Sequence, residues 1–352
     1  VPRIARIVVP LVALALLTGC APADEVAPQP SSPASVAASP EQPSPTPTAT
    51  PRTEPIRLFD GDCGSVIASE TLDALLGDGW KDYDQWLAED GPGIPDRVAA
   101  APEGTLGGVE CRWKAPDESA SGLFDLRVLA LPAGAMPASF VQAFATPACD
   151  ASYDSLVCRL VRVEDGVAIL AATLAASEEE RHGDALTRGI DAVAASAREQ
   201  GVTAEPVTPT DAWSTNGTCD EVGGAVADLT DGTFSAGYWE GSEQPEQTLF
   251  AEAGVAQDCP MYSDSETIPE DETFRIFTVS SYPGGQWMWS DLVDGATAVE
   301  VDGAAAAASF ATADDEAGDL YVTDGVNILI VGGADVAFNI DVAERVLARS
   351  VE

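Results

Sequence analysis

The chain has 352 residues, with 58 Asp and Glu against 17 Lys and Arg, giving a formal net charge of −41 at pH 7. Such a chain is repelled by nucleic acid and by anionic lipid headgroups, which leaves cations, neutral glycans and basic protein surfaces as its natural partners. The length suits two domains, and a single histidine, His182, leaves almost nothing for histidine-based catalysis.

The N-terminal stretch reads as an address. Arg3 and Arg6 precede an apolar run from Ile7 to Leu17, and the small residues Thr18 and Gly19 come before Cys20. That is the layout of a secretory signal over residues 1–19. The run is too short for a spanning helix, which needs about 20 apolar residues. Leu17-Thr18-Gly19-Cys20 resembles the bacterial lipobox. The resemblance implies that the Cys20 thiol carries a diacylglyceryl group and that cleavage makes Cys20 the first residue. Two acyl chains give stable anchoring where one is marginal. Loss of Arg3 and Arg6 would take the formal charge to −43 and leave Lys81 and Lys114 as the only lysines.

Residues 20–55 read as a tether. Ten prolines fall within 21–55, among Ala, Ser, Thr and Gln, with almost no bulky apolar residue to form a core. Extended polyproline geometry at ~3.1 Å per residue gives a reach of at most ~110 Å.

Folded sequence is expected from Ile56 onward, as two related copies over 56–200 and 213–352, joined by a linker at 201–212 that holds Pro206 and Pro209. Each copy opens with a cysteine and a helical pattern: Cys63, then Leu72, Leu75 and Leu76; Cys219, then Val222, Val226 and Leu229. Ser69 is the expected N-cap of the first helix and Gly77 its C′ residue. A second cysteine follows a loop, at Cys111 and Cys259. Strand-like segments come next, Leu123 to Leu131 and Phe274 to Ser280, alternating with period two. Phe124, Leu126 and Val128 are expected on one face. Asp-Gly hairpins follow at Glu164-Asp165-Gly166 and Thr323-Asp324-Gly325. From first cysteine to hairpin aspartate is 102 residues in one copy and 105 in the other. Closing helices are expected over 185–198 and 341–350. The fold class is α+β: two tandem related domains, each a twisted antiparallel sheet with packed helices, braced by disulfides.

Seven cysteines less Cys20 leave six, in an oxidising compartment. Sequence alone leaves their connectivity open. The simplest scheme that respects the duplication is Cys63–Cys111, Cys219–Cys259 and Cys149–Cys158. No paired Cys-x-x-Cys spacing points to a metal.

Cys111-Arg112-Trp113, after a helix opened by Cys and a Gly-rich loop, resembles actinobacterial envelope lipoproteins of a domain-of-unknown-function family. Their folds are similar to the extracellular sensor domain of the mycobacterial kinase PknH. The resemblance implies location and fold, and brings no catalytic residue. The second copy departs from it with Cys259-Pro260-Met261.

A search for chemistry finds little. His182 lies in Glu178-Glu179-Glu180-Arg181-His182-Gly183 and reads as a solvated surface side chain. Asp60-Gly61-Asp62 and Asp314-Asp315-Glu316 offer hard oxygens for Ca²⁺ but not the spacing of a twelve-residue calcium loop, so they read as solvated turns. No metal or cofactor is expected. The aromatics carry more: Trp80, Tyr83 and Trp86 in the first copy, Phe234, Tyr238 and Trp239 in the second, then Trp287 and Trp289, which share a face if extended. They either cover the sheets or form a ligand surface with the groove between domains. The expectation is a non-enzymatic, membrane-anchored envelope lipoprotein binding a glycan, lipid or protein. The alternatives are a carboxylate-dependent enzyme acting on glycans and a structural or assembly factor.

Overall fold

The computed structural model describes residues 54–89, 101–116, 122–152, 155–175, 179–202, 207, 209–229, 234–237, 244–263, 275–310 and 318–349. The signal segment, Cys20, nearly all of the tether, Tyr238, Trp239 and Asp314-Asp315-Glu316 lie outside the described residues. So does part of the linker. Residues 47–352 belong to one compact unit.

In chain order the first lobe runs α1 (Ser69–Leu76), β1 (Lys81–Asp82), α2 (Tyr83–Glu89), α3 (Ala101–Thr105), β2 (Val109–Lys114), β3 (Leu123–Pro132), α4 (Ala138–Ala143), β4 (Ala148–Ser152), β5 (Ser155–Glu164), β6 (Val167–Ala175) and α5 (Glu179–Gln200). The second runs α6 (Cys219–Val226), β7 (Phe234–Ala236), α7 (Pro245–Glu252), β8 (Gln257–Ser263), β9 (Arg275–Tyr282), α8 (Trp289–Leu292), β10 (Thr297–Ala298), β11 (Ala306–Ser309), β12 (Leu320–Thr323), β13 (Ile328–Gly332) and α9 (Val336–Arg349). Each lobe is one antiparallel sheet, ordered β1-β2-β3-β6-β5-β4 and β7-β8-β9-β13-β12-β11-β10. Strand for strand the orders coincide, with β10 added at one edge. The duplication is therefore one of topology as well as of sequence spacing.

The disulfides join Cys63 to Cys111, Cys149 to Cys158 and Cys219 to Cys259. Two of them tie the opening of each lobe to its second strand. These three bonds place the folded body in an oxidising, extracytoplasmic compartment. Among the described residues no helix is long and apolar enough to cross a membrane.

One face of the first sheet holds Cys111, Trp113, Leu126, Val128, Ile169 and Ala171 against α5, whose Leu186, Ile190 and Val193 recur at helical spacing. Cys111 and Trp113 are two apart on a strand, so both point into this core, and the Cys-x-Trp signature is a packing feature. In the second lobe Cys259 and Met261 occupy the same inward positions, both buried.

The hairpin between β5 and β6 closes as its Asp-Gly predicts. Asp165 and Gly166 both have positive φ, 51° and 83°, and Glu164 pairs with Val167. The second hairpin is looser. Thr323 pairs with Ile328, so four residues turn the chain where three were expected.

Several expectations are corrected. Ser69 is the first helical residue of α1, and Ala68 occupies the N-cap position without a side-chain bond. Phe124 is exposed because a β-bulge between Leu123 and Asp125 turns it off the core face. Both closing helices start earlier than expected, at Glu179 and Val336. His182 is fully buried, with Nδ1 2.7 Å from Thr173 Oγ1. It falls on the stripe of α5 that carries Leu186 and Ile190, and the helix turns it inward despite its acidic neighbours.

Candidate functional site

The second face of the first sheet divides into two zones. At one end Leu129, Leu131, Val161 and Leu170 form an apolar patch. It is covered by Phe140 of α4 and by Leu249, Phe250, Val255 and Ala256 of the second lobe. Burying each large side chain of this kind contributes about 1.5–3 kcal/mol, so the two lobes share a core. At the other end the same face is charged and open, and a cleft of about 860 Å³ lies over it.

The floor of the cleft is a row set by register. Arg112 on β2 faces Arg127 on β3, Arg127 faces Ala172 on β6, and Ala172 faces Arg159 on β5. Three guanidiniums thus cross four strands, with one small side chain leaving a notch between the last two. Each arginine has an acid. Arg112 directs Nε and Nη2 to Asp125 Oδ2, at 3.0 and 2.5 Å, and Lys114 reaches the same oxygen at 3.3 Å. Arg127 holds Glu110 as a fork, at 2.7 and 2.6 Å. Arg159 donates through Nε to Glu246 at 2.9 Å and through Nη2 to Gln244 at 3.0 Å.

Glu246 and Gln244 belong to the second lobe, at the start of α7. Pro245 sets the first turn, and Gln244 and Gln247 form a reciprocal cap. This helix start sets Glu246 between Arg159 and Arg127, the latter 3.6 Å away. Burial would push the Glu246 carboxyl up. Arg127, Arg159 and a backbone N–H outweigh it, and the carboxyl lies below its usual range. For Arg127, burial works against the charge, but Glu110, Glu246 and Glu103 hold the guanidinium above its ordinary value. Glu246 is thereby kept ionised, which removes it as a proton donor.

The aromatic candidates are separated. Trp80 and Tyr83 line the cleft. Trp80 donates to Asp73 at 2.9 Å. Tyr83 stacks on Trp86, with ring centroids 5.5 Å apart. Arg112 sits 4.3 Å over Tyr83 and Lys114 4.9 Å over Trp86, so the rim is fixed by cation–π contacts to the floor. Trp287 belongs to the seam between lobes: it donates to Thr105 Oγ1 at 3.0 Å and lies against Gly104, where a Cβ would be 2.6 Å from its ring. Trp289 packs beside Met288 and Leu292 on the second sheet. Neither forms an extended pair, because residues 285–292 are helical. The six cysteines brace the lobes. Among the described residues no group of three His, Cys, Asp or Glu side chains could hold a metal ion.

The arginine row escaped the sequence reading. Its partners are far apart in the chain, 17 residues for Arg127 and Glu110 and 87 for Arg159 and Glu246. The alternation Glu110, Arg112, Lys114 against Val109, Cys111, Trp113 was the signal available.

The duplication supplies an internal control. Cys259 faces Val279 as Cys111 faces Val128, so the positions of Arg112, Arg127 and Ala172 are taken by Pro260, Thr278 and Gly332. Asp319 lies against Gly332, in the place of Arg159. The same sheet therefore forms without the arginines.

No protein-family model and no curated protein matches the chain. Among solved structures, a match is to the di-domain ARO/CYC StfQ from the steffimycin biosynthetic pathway. It has 10% identity over 70% of this chain and 77% of that one, with a TM-score of 0.11. A likeness at that level carries no argument about fold or function.

Proposed function

We propose that the chain is a lipid-anchored, extracytoplasmic binding protein whose ligand site is the arginine cleft of the first lobe. The observation that carries this reading is the asymmetry between the lobes. Three arginines in register occupy one sheet, and the duplicate sheet does without them. Buried ion pairs are weak contributors to stability, and apolar replacements are often neutral or better. A row that the fold does not need is best explained by what it binds.

The lipobox resemblance of Leu17 to Cys20, the proline-rich tether and the disulfides support the address. The resemblance of Cys111-Arg112-Trp113 to actinobacterial envelope lipoproteins belongs to the same proposal. An enzyme acting on glycans would need one carboxyl kept protonated; the arginines bar Glu246, one of several carboxyls in the cleft, from that role.

Two measurements test the reading on the full chain from its own membranes. Mass spectrometry of the N-terminus should find Cys20 first and diacylated; an unmodified N-terminus overturns the anchor. Native mass spectrometry should find a small-molecule adduct on the wild type that is missing from Ala172→Trp, whose indole fills the notch. Absence of any adduct after incubation with envelope extract, or equal adducts on both proteins, overturns the binding site.

A further inference from the structure

We infer that the arginine cleft selects a neutral, hydroxyl-rich ligand, an oligosaccharide, in preference to anions, cations or zwitterions. The inference rests on the binding reading above and deepens it. The charges on the floor are already paired with one another. Arg112, Arg127, Arg159 and Lys114 are set against Asp125, Glu110, Glu246 and the buried Glu103, and each of the three arginines has its carboxylate within 3.0 Å. An anion would have to displace a carboxylate already seated on its guanidinium. A cation would have to displace a guanidinium from its carboxylate. Removing one partner from a buried pair leaves the other charge uncompensated, which works against either ligand. The long-range field of a chain with net charge −41 further repels anions.

A hydroxyl group has no such conflict. It donates to a carboxylate lone pair and accepts from a guanidinium N–H at once. Both kinds of partner are offered side by side. Arg112 spends Nε and Nη2 on the single oxygen Oδ2 of Asp125, and Arg159 shares Nη2 between the amide oxygen of Gln244 and Glu246 Oε2. The groups a ligand can reach are Arg112, Arg127 and Glu110, whose side chains are 32%, 28% and 19% exposed, and they are held in place by Asp125, Arg159 and Glu246, at most 4% exposed. Preorganised groups of this kind lose little freedom on binding.

Shape agrees with chemistry. A volume of about 860 Å³ is large for a free amino acid or betaine and lies within the range of about 300–1,000 Å³ for organic ligands. The notch at Ala172 sits between two guanidiniums one strand apart on either side. Trp80 and Tyr83 give the cleft apolar walls for the C–H faces of sugar rings.

The test uses the full chain in a detergent without a sugar headgroup. Isothermal calorimetry is run against neutral malto-, manno-, cello- and chito-oligosaccharides, inorganic phosphate and glycine betaine. One neutral series should bind, with less than about a twofold change in affinity as salt rises to 0.5 M, because no net charge is paired. Ala172→Trp should weaken it by at least about tenfold, and so should Tyr83→Ala, which removes a rim ring and its contact with Arg112 while leaving the three arginine–carboxylate pairs in place. Both must retain the wild-type circular dichroism spectrum. Binding of phosphate or betaine in place of the neutral series overturns the ligand class and leaves the binding site standing. Neutral binding that neither variant weakens overturns the placement. No binding of any probe, together with no adduct from envelope extract, overturns the binding reading itself.

Discussion

Glu246→Gln keeps the shape of a side chain that is 2% exposed and removes its charge. Arg127 would retain its fork to Glu110. Arg159, 3% exposed, would retain Gln244 and, at 3.5 Å, the largely exposed carboxylate of Asp150. Removing one partner of a buried pair costs about 3–5 kcal/mol. The Gln oxygen can still accept from Arg159 Nε, so the lower end, about 3 kcal/mol, is expected. At about 1.6 °C per kcal/mol for a body of about 300 residues, Tm should fall by about 5 °C in differential scanning calorimetry at pH 7. The pH dependence adds a second reading. The folded carboxyl lies below the ordinary carboxylate range, because the two arginines outweigh burial. A lowered folded value stabilises the protein fully above the unfolded one, and this stability is lost as pH falls through the folded value. The gap between wild type and variant should be constant near neutrality and should close in acid, below about pH 4.5. A gap under about 1 kcal/mol at pH 7, or one that persists unchanged to pH ~2, would refute a buried, charge-paired Glu246.

The disulfides should rank by loop length. In the chain-entropy relation, removing Cys63–Cys111 costs about 4 kcal/mol and removing Cys149–Cys158 about 2.6, measured by denaturant unfolding; the reverse order would contradict the relation. Gly166→Ala should cost about 1–2 kcal/mol through its φ of 83° alone, since a Cβ there meets nothing within 4 Å; a neutral variant would mean that the turn relaxes. His182→Ala removes a fully buried ring and its bond to Thr173 beneath α5, and should cost about 2–4 kcal/mol; a loss under about 0.5 would restore the surface reading of His182.

What could be read from the sequence was local or repeated. The hairpin at Asp165-Gly166 was legible because two positive φ angles demand those residue types. The cysteine pairs were legible because the duplication places equivalent cysteines at equivalent points. The strands β2 and β8 were not recognised, although Val109, Cys111 and Trp113 alternate inward against Glu110, Arg112 and Lys114. β8 lacks such an alternation and carries Pro260 at its centre. The site was less legible still, since the row depends on strand order. Arg112, Arg127 and Arg159 lie on three strands, and only the insertion of β6 between β3 and β5 sets Ala172 in their midst. Of the aromatic clusters, Trp80 and Tyr83 line the cleft. The clusters pointed away from it in Trp287, because a ring that packs on Gly104 across a lobe boundary carries no local mark.

The two lobes also show how a duplicated sheet can divide its labour. Each uses its inner face in the same way, around a disulfide and a closing helix. On the outer face they part. In the second lobe Met288 and Leu292, from its own helical segment, lie on Tyr321, Ile328 and Ile330. In the first lobe the corresponding α4 covers only the apolar end, beside Leu249 and Phe250 from α7. The helix that completes that cover brings Glu246 to the boundary between apolar and charged zones. One element thus fastens the lobes through Leu249 and Phe250 and, through its first turn, sets Glu246 against Arg159 and Arg127. A ligand in the cleft would touch both lobes without any movement between them, because the contact that joins them is also the contact that builds its floor.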